Sequence, residues 1–177
     1  ARRPHSTNIV NGNRDDALEK FFDAQHVEWS RWAEVSDDSD GESEIKEGNF
    51  ALSFWDWVRS ARGGAWGDTA EIMRLVEEYP GGPPPAFDLQ GAAELAGDVI
   101  PAYEAWKEEQ DRWDFTDLLN GALQAAQEGR LLPIDALLLD EVQDQGPLIW
   151  AVVREWAKAA RYVAYCGDPN QAIYGFI

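Results

Sequence analysis

The chain has 177 residues, of which 45% are hydrophobic, and it carries a formal net charge of −18. This size and composition allow one well-buried core and argue against a disordered protein. No apolar run approaches the roughly 20 residues that a membrane helix requires, and the N-terminus lacks a secretory pattern, so we expect a cytoplasmic protein. The single cysteine, Cys166, excludes an internal disulfide, and its apolar neighbours predict a buried structural thiol.

The net charge bears directly on one class of partner. Binding to nucleic acid depends strongly on Lys and Arg side chains that contact phosphates, so an excess of acids counts against it. Net charge describes the whole surface, however, whereas binding depends on the local field and on stacking contacts that carry no charge. The charge alone therefore does not exclude a nucleic-acid partner.

The first predicted element is an amphipathic helix over residues 13–35, because apolar side chains recur there at helical spacing with acids between them. Its apolar face is marked by Leu18, Phe22, Trp29 and Trp32. Residues 37–47 contain six acids and one Lys, which is typical of a solvated surface loop.

Two further helices are expected before residue 80. The first begins near Asn49 and ends at the glycines 63–64, and its predicted core residues are Phe50, Phe54, Trp57 and Val58. The second begins after Asp68, which together with Glu71 resembles a capping box. It ends at the Pro/Gly-rich segment 80–85, which can neither continue a helix nor donate ladder hydrogen bonds. This segment is the best candidate for an internal boundary.

The second half of the chain has a different pattern, in which helices alternate with short apolar runs. A long helical region around residues 99–106 leads into a helix that begins near residue 113. Residues 134–139 suit a strand that is buried on both faces of a parallel sheet. A helix over residues 147–159 and a strand over residues 162–166 complete a strand–helix–strand unit.

Acidic side chains follow the first predicted strand. Ligands of open parallel sheets bind at the carboxyl ends of strands, so residues 140–144 (DEVQD) lie where a nucleotide would bind. Asp140 can hold Mg²⁺ through water, and Glu141 can orient and deprotonate the water that attacks a γ-phosphate. The same two acids can instead cap the following helix and interact with the positive end of its dipole. For this pair alone, both interpretations stay open.

A second polar segment, residues 167–176 (GDPNQAIYGF), follows the second strand, so we expect the two segments to be neighbours. It begins with another acid, Asp168. The amide of Gln171 can hydrogen-bond a phosphate oxygen or a water, which suits a group that senses the γ-phosphate, although it can also stabilise a turn. Tyr174 and Phe176 share one face of an extended segment and can stack on bases, although ordinary packing explains them equally well.

Together the two segments resemble a known pair of motifs. Residues 138–144 (LLDEVQD) and residues 167–176, which begin 23 residues after Asp144, look like motifs II and III of UvrD/Rep-type superfamily 1 helicases. Residues 114–119 (DFTDLL) also resemble the Asp-Phe-x-Asp-Leu-Leu segment that precedes motif II in these enzymes. The resemblance extends over roughly residues 98–177.

The resemblance implies a fold and a division of the chain. The fold would be α/β, with part of the parallel sheet of a P-loop NTPase (RecA-like) domain and an inserted, mainly helical subdomain. Residues 1–97 would form this subdomain, which is similar in size and position to the 1B subdomain of such motors. Residues 98–177 would form the C-terminal part of domain 1A.

The resemblance also implies cofactors and residue roles. Asp140 would bind Mg²⁺, and Glu141 would be the general base in the hydrolysis of ATP. The residues implied for the nucleotide side are Gln143, Asp168 and Gln171, and those implied for contact with single-stranded DNA are Tyr174 and Phe176.

Two features depart from the family pattern. The chain contains no Gly-x-x-x-x-Gly-Lys-Ser/Thr phosphate loop, and Ile177 stands where an Arg commonly follows the motif III aromatic residue. In this family the phosphate loop lies upstream of 1B, so we expect the sequence to be a piece of a longer protein.

The function that the resemblance implies is a motor that uses ATP and Mg²⁺ to move on single-stranded DNA and to separate duplexes at junctions, with 3′ to 5′ polarity. One alternative is the motor of a helicase–nuclease. A second is a degenerate remnant that hydrolyses nothing and binds DNA or a protein partner. The presence of Asp140, Glu141 and Gln171 counts against a remnant.

Overall fold

The structure is a computed structural model, and it describes residues 9–10, 16–31, 45–64, 66–168 and 170. Contacts between Cα atoms divide the chain into two units, Ala1–Phe115 and Thr116–Ile177. We call the first the helical unit and the second the sheet unit, because both named strands lie in the second.

The helix predicted over residues 13–35 is shorter in the structure, where helix α1 spans Asp16–Gln25. It ends because His26 adopts a left-handed backbone conformation with a φ of 56°. Trp29 therefore lies beyond the helix, and Trp32 lies outside the described residues. The buried side chains of α1 are Leu18, Phe21 and Phe22.

The acidic segment predicted over residues 37–47 is described only in its last three residues. Glu47 is already the first residue of the next helix, and its carboxylate accepts a hydrogen bond from the backbone amide of Glu28 at 3.2 Å. This end of the segment is therefore folded rather than part of a solvated loop.

Helix α2 spans Glu47–Arg62, close to its predicted bounds. Gly63 ends it with a φ of 76°, a left-handed conformation that favours glycine. Trp57, which was predicted to be a core residue, is only half-buried. Trp55, two positions earlier, is buried. The other predicted core residues, Phe50, Phe54 and Val58, are all buried.

Helix α3 spans Thr69–Glu78 and begins at its predicted cap. The Asp68 carboxylate accepts a hydrogen bond from the backbone amide of Glu71 at 3.1 Å, which satisfies one N–H group of the first turn. The Pro/Gly-rich segment 80–85 follows α3. This segment lies within the helical unit, so it does not separate the two units.

Helix α4 spans Leu89–Glu109 and packs against α1, α2 and α3. Asp88 caps it by accepting a hydrogen bond from the amide of Gly91 at 2.7 Å. The predicted boundary between residues 97 and 98 falls inside this helix, whereas the contacts divide the chain after Phe115. The assignment of the two parts to a 1B-like subdomain and to domain 1A stays a prediction. None of the described helices combines the length and the hydropathy of a membrane-spanning segment.

The core of the helical unit is rich in aromatic side chains. Phe54 is fully buried, and its ring centroid lies 5.5 to 6.1 Å from those of Phe50, Trp57 and Tyr79. Val99 and Tyr103 of α4 are also buried, as their helical spacing predicts. Burial of large apolar side chains is the main source of stability in such a unit.

The sheet unit contains the predicted strand–helix–strand arrangement. Its strands pair in parallel, with Ile134 opposite Ala160 and Leu139 opposite Tyr165. The helix between the strands packs against the second one. In chain order the elements are α5 (Phe115–Gln127), β1 (Ile134–Leu139), α6 (Pro147–Ala157) and β2 (Ala160–Tyr165).

The strands are more exposed than the sequence predicts. Leu138 is 75% exposed and Tyr162 is 60% exposed. Burial on both faces requires packed layers on both faces, whereas every residue of β1 is half-buried or exposed. The prediction of a doubly buried strand is therefore wrong for this chain. Cys166, predicted to be a buried thiol, is also exposed, like the last five residues of β2 that precede it.

Candidate functional site

The two predicted polar segments follow parallel strands at one edge of the sheet. β1 ends at Leu139 and β2 ends at Tyr165, and these two residues are partners in the strand register. Asp140 and Glu141 follow β1, and Cys166 leads from the end of β2 into the segment that begins at residue 167. Because the strands are parallel, both segments leave the same edge, where open sheets bind their ligands.

Backbone hydrogen bonds join the two segments. The amide of Cys166 donates to the carbonyl of Leu139 at 2.8 Å, and the amide of Val142 donates to the carbonyl of Cys166 at 3.1 Å. The hydrogen bonding between the strands thus continues past their ends. The amide of Asp168 also donates to Gln143 Oε1 at 3.1 Å, so the prediction that the two segments are neighbours is confirmed for the described start of the second segment.

Glu141, the predicted general base, has an unusual backbone conformation. Its φ of 53° and ψ of 42° lie in the left-handed region, which costs a non-glycine residue about 1–2 kcal/mol. The Asp140 carboxylate accepts a hydrogen bond from its amide at 3.0 Å, and its carbonyl accepts one from the amide of Asp144 at 3.1 Å. Hydrogen bonds on both sides hold this conformation, and strained residues of this kind cluster at functional sites.

Asp140 and Glu141 both expose their side chains at this edge. Mg²⁺ needs only one or two protein carboxylates, because water and substrate phosphates complete its octahedral coordination. Among the described residues, no group of three or more His, Cys, Asp or Glu side chains could hold a metal ion. The two exposed carboxylates are of the type and number that Mg²⁺ with water and phosphate ligands requires.

Gln143 lies in the 3-10 turn Val142–Asp144 that follows Glu141. Its side-chain nitrogen faces the Glu141 carboxylate, and its side-chain oxygen faces the backbone of Asp168. The family resemblance implies that Gln143 is a residue of the nucleotide site, but no sequence pattern indicates this connection between the two segments.

The Asp168 side chain shapes its own loop. Its Oδ1 accepts hydrogen bonds from the backbone amide of Asn170 at 2.9 Å and from the Asn170 side-chain amide at 3.1 Å. An Asp that binds the backbone two residues later forms a local turn. The contact with nucleotide predicted for Asp168 stays a prediction.

The other predicted positions of this segment lie outside the described residues. These positions are Gln171, Tyr174, Phe176 and Ile177. The roles that the resemblance implies for Gln171 in nucleotide binding, and for Tyr174 and Phe176 in DNA binding, stay predictions.

The helical unit contains a buried ion-pair cluster around Asp114, the first residue of the segment 114–119. Asp114 Oδ2 accepts hydrogen bonds from Arg59 Nη2 and Lys107 Nζ, both at 2.7 Å, and from the Tyr103 hydroxyl at 3.2 Å. All four residues are buried. The cluster therefore ties α2 and α4 to the residue just before α5.

The electrostatics of this cluster keep Asp114 ionised. Burial alone would raise the pKa of its carboxyl, but the hydrogen bonds and charges of Arg59 and Lys107 outweigh burial and lower the pKa from 3.8 to about 2. Burial and the charge of Asp114 raise the pKa of the Tyr103 hydroxyl well above 10. Sequence patterns did not reveal the cluster, because Arg59 and Asp114 lie 55 positions apart.

Comparison with known families agrees with the geometry of the sheet edge. The chain matches the family model of the UvrD/REP helicase N-terminal domain over residues 86–177, more than half of its 177 residues. The matched part includes both strands and both polar segments. No curated protein and no solved structure matches the chain. The match to the family model shows that the chain belongs to the UvrD/REP helicase family.

Proposed function

We propose that this chain is part of an ATP-dependent motor that uses the hydrolysis of Mg²⁺-ATP to move along single-stranded DNA and to separate duplexes, with 3′ to 5′ polarity. The observation that carries the proposal is the sheet edge, where Asp140 and Glu141 follow β1 and are joined by hydrogen bonds to the segment after β2. Membership of the helicase family supports the same conclusion.

The proposed roles follow from the chemistry of the side chains. Asp140 holds Mg²⁺ together with water and phosphate oxygens, and Glu141 orients the attacking water and accepts its proton. Gln171 contacts the γ-phosphate side of the site. Mg²⁺, when bound, neutralises negative charge on the phosphates. The sheet in this proposal is part of a RecA-like domain, in which nucleotides bind at the carboxyl edge of the strands.

The sequence of the chain lacks the phosphate loop whose backbone amides and Lys cradle the β- and γ-phosphates. We therefore expect the 177-residue chain by itself to hydrolyse no ATP. The function is tested in the full-length protein.

Substitution of Asp140→Asn tests the proposal, because it keeps the size of the side chain and removes its charge. DNA-stimulated ATP hydrolysis by the full-length protein should fall at least about 100-fold, as expected for the loss of a group that stabilises the charged transition state. The matched control is Asp135→Asn, an exposed acid of β1, which should leave the rate unchanged. Equal rates for the two variants would contradict the role of Asp140. A wild-type protein without DNA-stimulated hydrolysis would favour a remnant.

The proposed DNA contact is tested at Tyr174 and Phe176. If their rings stack on bases, replacement of either by Ala should weaken binding of single-stranded DNA about 5- to 150-fold, or about 1–3 kcal/mol, with little change in thermal stability. Anisotropy titrations at one salt concentration measure the affinity. Tyr162→Ala, an exposed tyrosine of β2, is the control. A variant that melts early yet binds DNA normally would remove the stacking role.

A further inference from the structure

One side chain, Gln143, connects the two polar segments in addition to their backbone hydrogen bonds. Its Nε2 donates to Glu141 Oε2 at 2.6 Å, and its Oε1 accepts from the backbone amide of Asp168 at 3.1 Å. A single amide group thus contacts the carboxylate of the proposed base and the backbone of the opposite segment.

The two partners fix the orientation of this amide. A carboxylate only accepts hydrogen bonds, and a backbone N–H only donates. If the Gln143 amide were turned by 180°, its NH₂ group would face the Asp168 N–H and its oxygen would face the Glu141 carboxylate. One orientation therefore satisfies both partners, and the alternative loses both hydrogen bonds.

Gly167, which follows β2, has no side chain, and the Gln143 side chain occupies the space where one would lie. A Cβ atom at Gly167 would lie 2.4 Å from Gln143 Oε1 and 3.1 Å from the backbone nitrogen of Val142. Any side chain at position 167 would thus displace the Gln143 carbonyl or the turn that carries it. The contact between Gln143 and Asp168 therefore requires a glycine at position 167.

We propose that Gln143 is a positioning residue, which holds the carboxylate of Glu141 in a fixed orientation relative to the segment after β2. A movement of that segment pulls on Oε1 of Gln143 and changes the orientation of the base through Nε2. This inference rests on the proposed function, because it takes Glu141 as the general base. It gives Gln143 a role between two protein groups instead of the direct contact with nucleotide that the family resemblance implies.

The contact itself is measured in the 177-residue chain by amide hydrogen exchange with NMR detection. In Gln143→Met, which keeps a similar length and removes both polar atoms, the Asp168 amide should exchange about two- to tenfold faster, the factor expected for one hydrogen bond. In Gln143→Glu, which keeps an acceptor oxygen, that amide should keep its protection. The Cys166 amide, bonded to the Leu139 carbonyl, should be unchanged in both variants and shows that the strands remain paired.

The positioning role is measured by ATP hydrolysis in the full-length protein. Both Gln143→Met and Gln143→Glu lose the donor to Glu141, so kcat should fall about 10- to 100-fold, as expected for a misplaced catalytic group, while KM for Mg²⁺-ATP changes less than about threefold. Gln124→Met, an exposed glutamine of α5, is the matched control and should leave both constants unchanged.

The outcomes separate the two proposals. If wild-type protein hydrolyses ATP and both Gln143 variants keep its kcat, the positioning role is overturned and the proposed function stands. Unchanged exchange of the Asp168 amide in Gln143→Met overturns the contact. A higher KM with an unchanged kcat shows a direct role in nucleotide binding and also overturns the proposal. A wild-type protein without ATP hydrolysis overturns both proposals.

Discussion

The helical unit and the sheet unit place their apolar and charged side chains in opposite ways. The helical unit buries its large apolar residues and even encloses the charges of Arg59, Lys107 and Asp114. The sheet unit exposes strand residues such as Leu138 and Tyr162, and its acids Asp140 and Glu141 are exposed just after β1. The helical unit is stabilised mainly by packing of buried side chains. At the sheet edge, hydrogen bonds fix the positions of the residues that follow the strands.

This difference bears on how the chain tolerates a strained residue at the proposed site. The left-handed conformation of Glu141 costs about 1–2 kcal/mol, and the 3-10 turn that follows it contains no buried residue. The turn is instead held by Asp140, Asp144 and Gln145 through hydrogen bonds to the backbone of Glu141. The site therefore depends on a local network, and substitutions in the two units should have different consequences.

The largest expected effect is the removal of a core aromatic side chain. Phe54→Ala should lower the free energy of unfolding of the helical unit by about 3–5 kcal/mol, because Phe54 is fully buried. Leu138→Ala in β1 should change stability by less than about 0.5 kcal/mol, since that side chain is 75% exposed. Urea titrations followed by hydrogen exchange of peptides from each unit measure both values. Similar losses in the two variants would remove the contrast between the units.

Acid should weaken the helical unit through Asp114. The folded pKa of about 2 lies below the ordinary 3.8, so its contribution is present above about pH 4 and is lost as the pH falls toward 2. A shift of this size corresponds to roughly 2 kcal/mol. Urea titrations of wild type and Asp114→Asn at pH 5 and at pH 2.5 measure it. The difference between the two proteins should shrink at low pH, and a difference that stays constant would contradict the ionised cluster.

The helices and strands were predictable where local signals agreed with packing. The cap at Asp68 and the end of α2 at Gly63 follow from residue types that favour those positions, and the strand over residues 134–139 follows from a short apolar run after a proline. The end of α1 was not predictable, because His26 has no strong preference for the left-handed conformation that ends the helix. The apolar pattern of residues 13–35 continues past this point, so periodicity alone overestimates the length of the helix.

The sequence predicted that a site lies at the sheet edge, but it did not predict which side chains contact each other there. An acid pair after a strand indicates a site, because the topology of a parallel sheet brings strand ends together. The connection from Gln143 to Asp168 spans 25 positions and depends on one side-chain orientation, which no local pattern specifies. The exposure of Cys166 was not predictable either, because an apolar run indicates a strand but does not specify which layers cover it, and the last five residues of β2 are exposed as well.

A smaller effect distinguishes two glycines of the sheet unit. Gly167→Ala should lower stability by about 1–3 kcal/mol, because the new Cβ meets the backbone of Val142 as well as Gln143. Gly121→Ala in α5 meets open space and should raise stability by about 0.5–1 kcal/mol through the higher helix propensity of Ala. Thermal melts of the chain measure both changes. Equal melting temperatures for the two variants would show that the two segments are not closely joined at Gly167.

The most direct test of the proposed site is the substitution Glu141→Gln in the full-length protein, with nucleotide binding and single-turnover hydrolysis measured on the same samples. Gln keeps the size of the side chain and its hydrogen-bonding capacity but cannot accept the proton of the attacking water. We predict that Mg²⁺-ATP binds as in wild type while hydrolysis slows by about 10² to 10⁴-fold, the usual contribution of a general base. An unchanged rate would show that Glu141 serves only to shape the turn after β1, and it would contradict the proposed site.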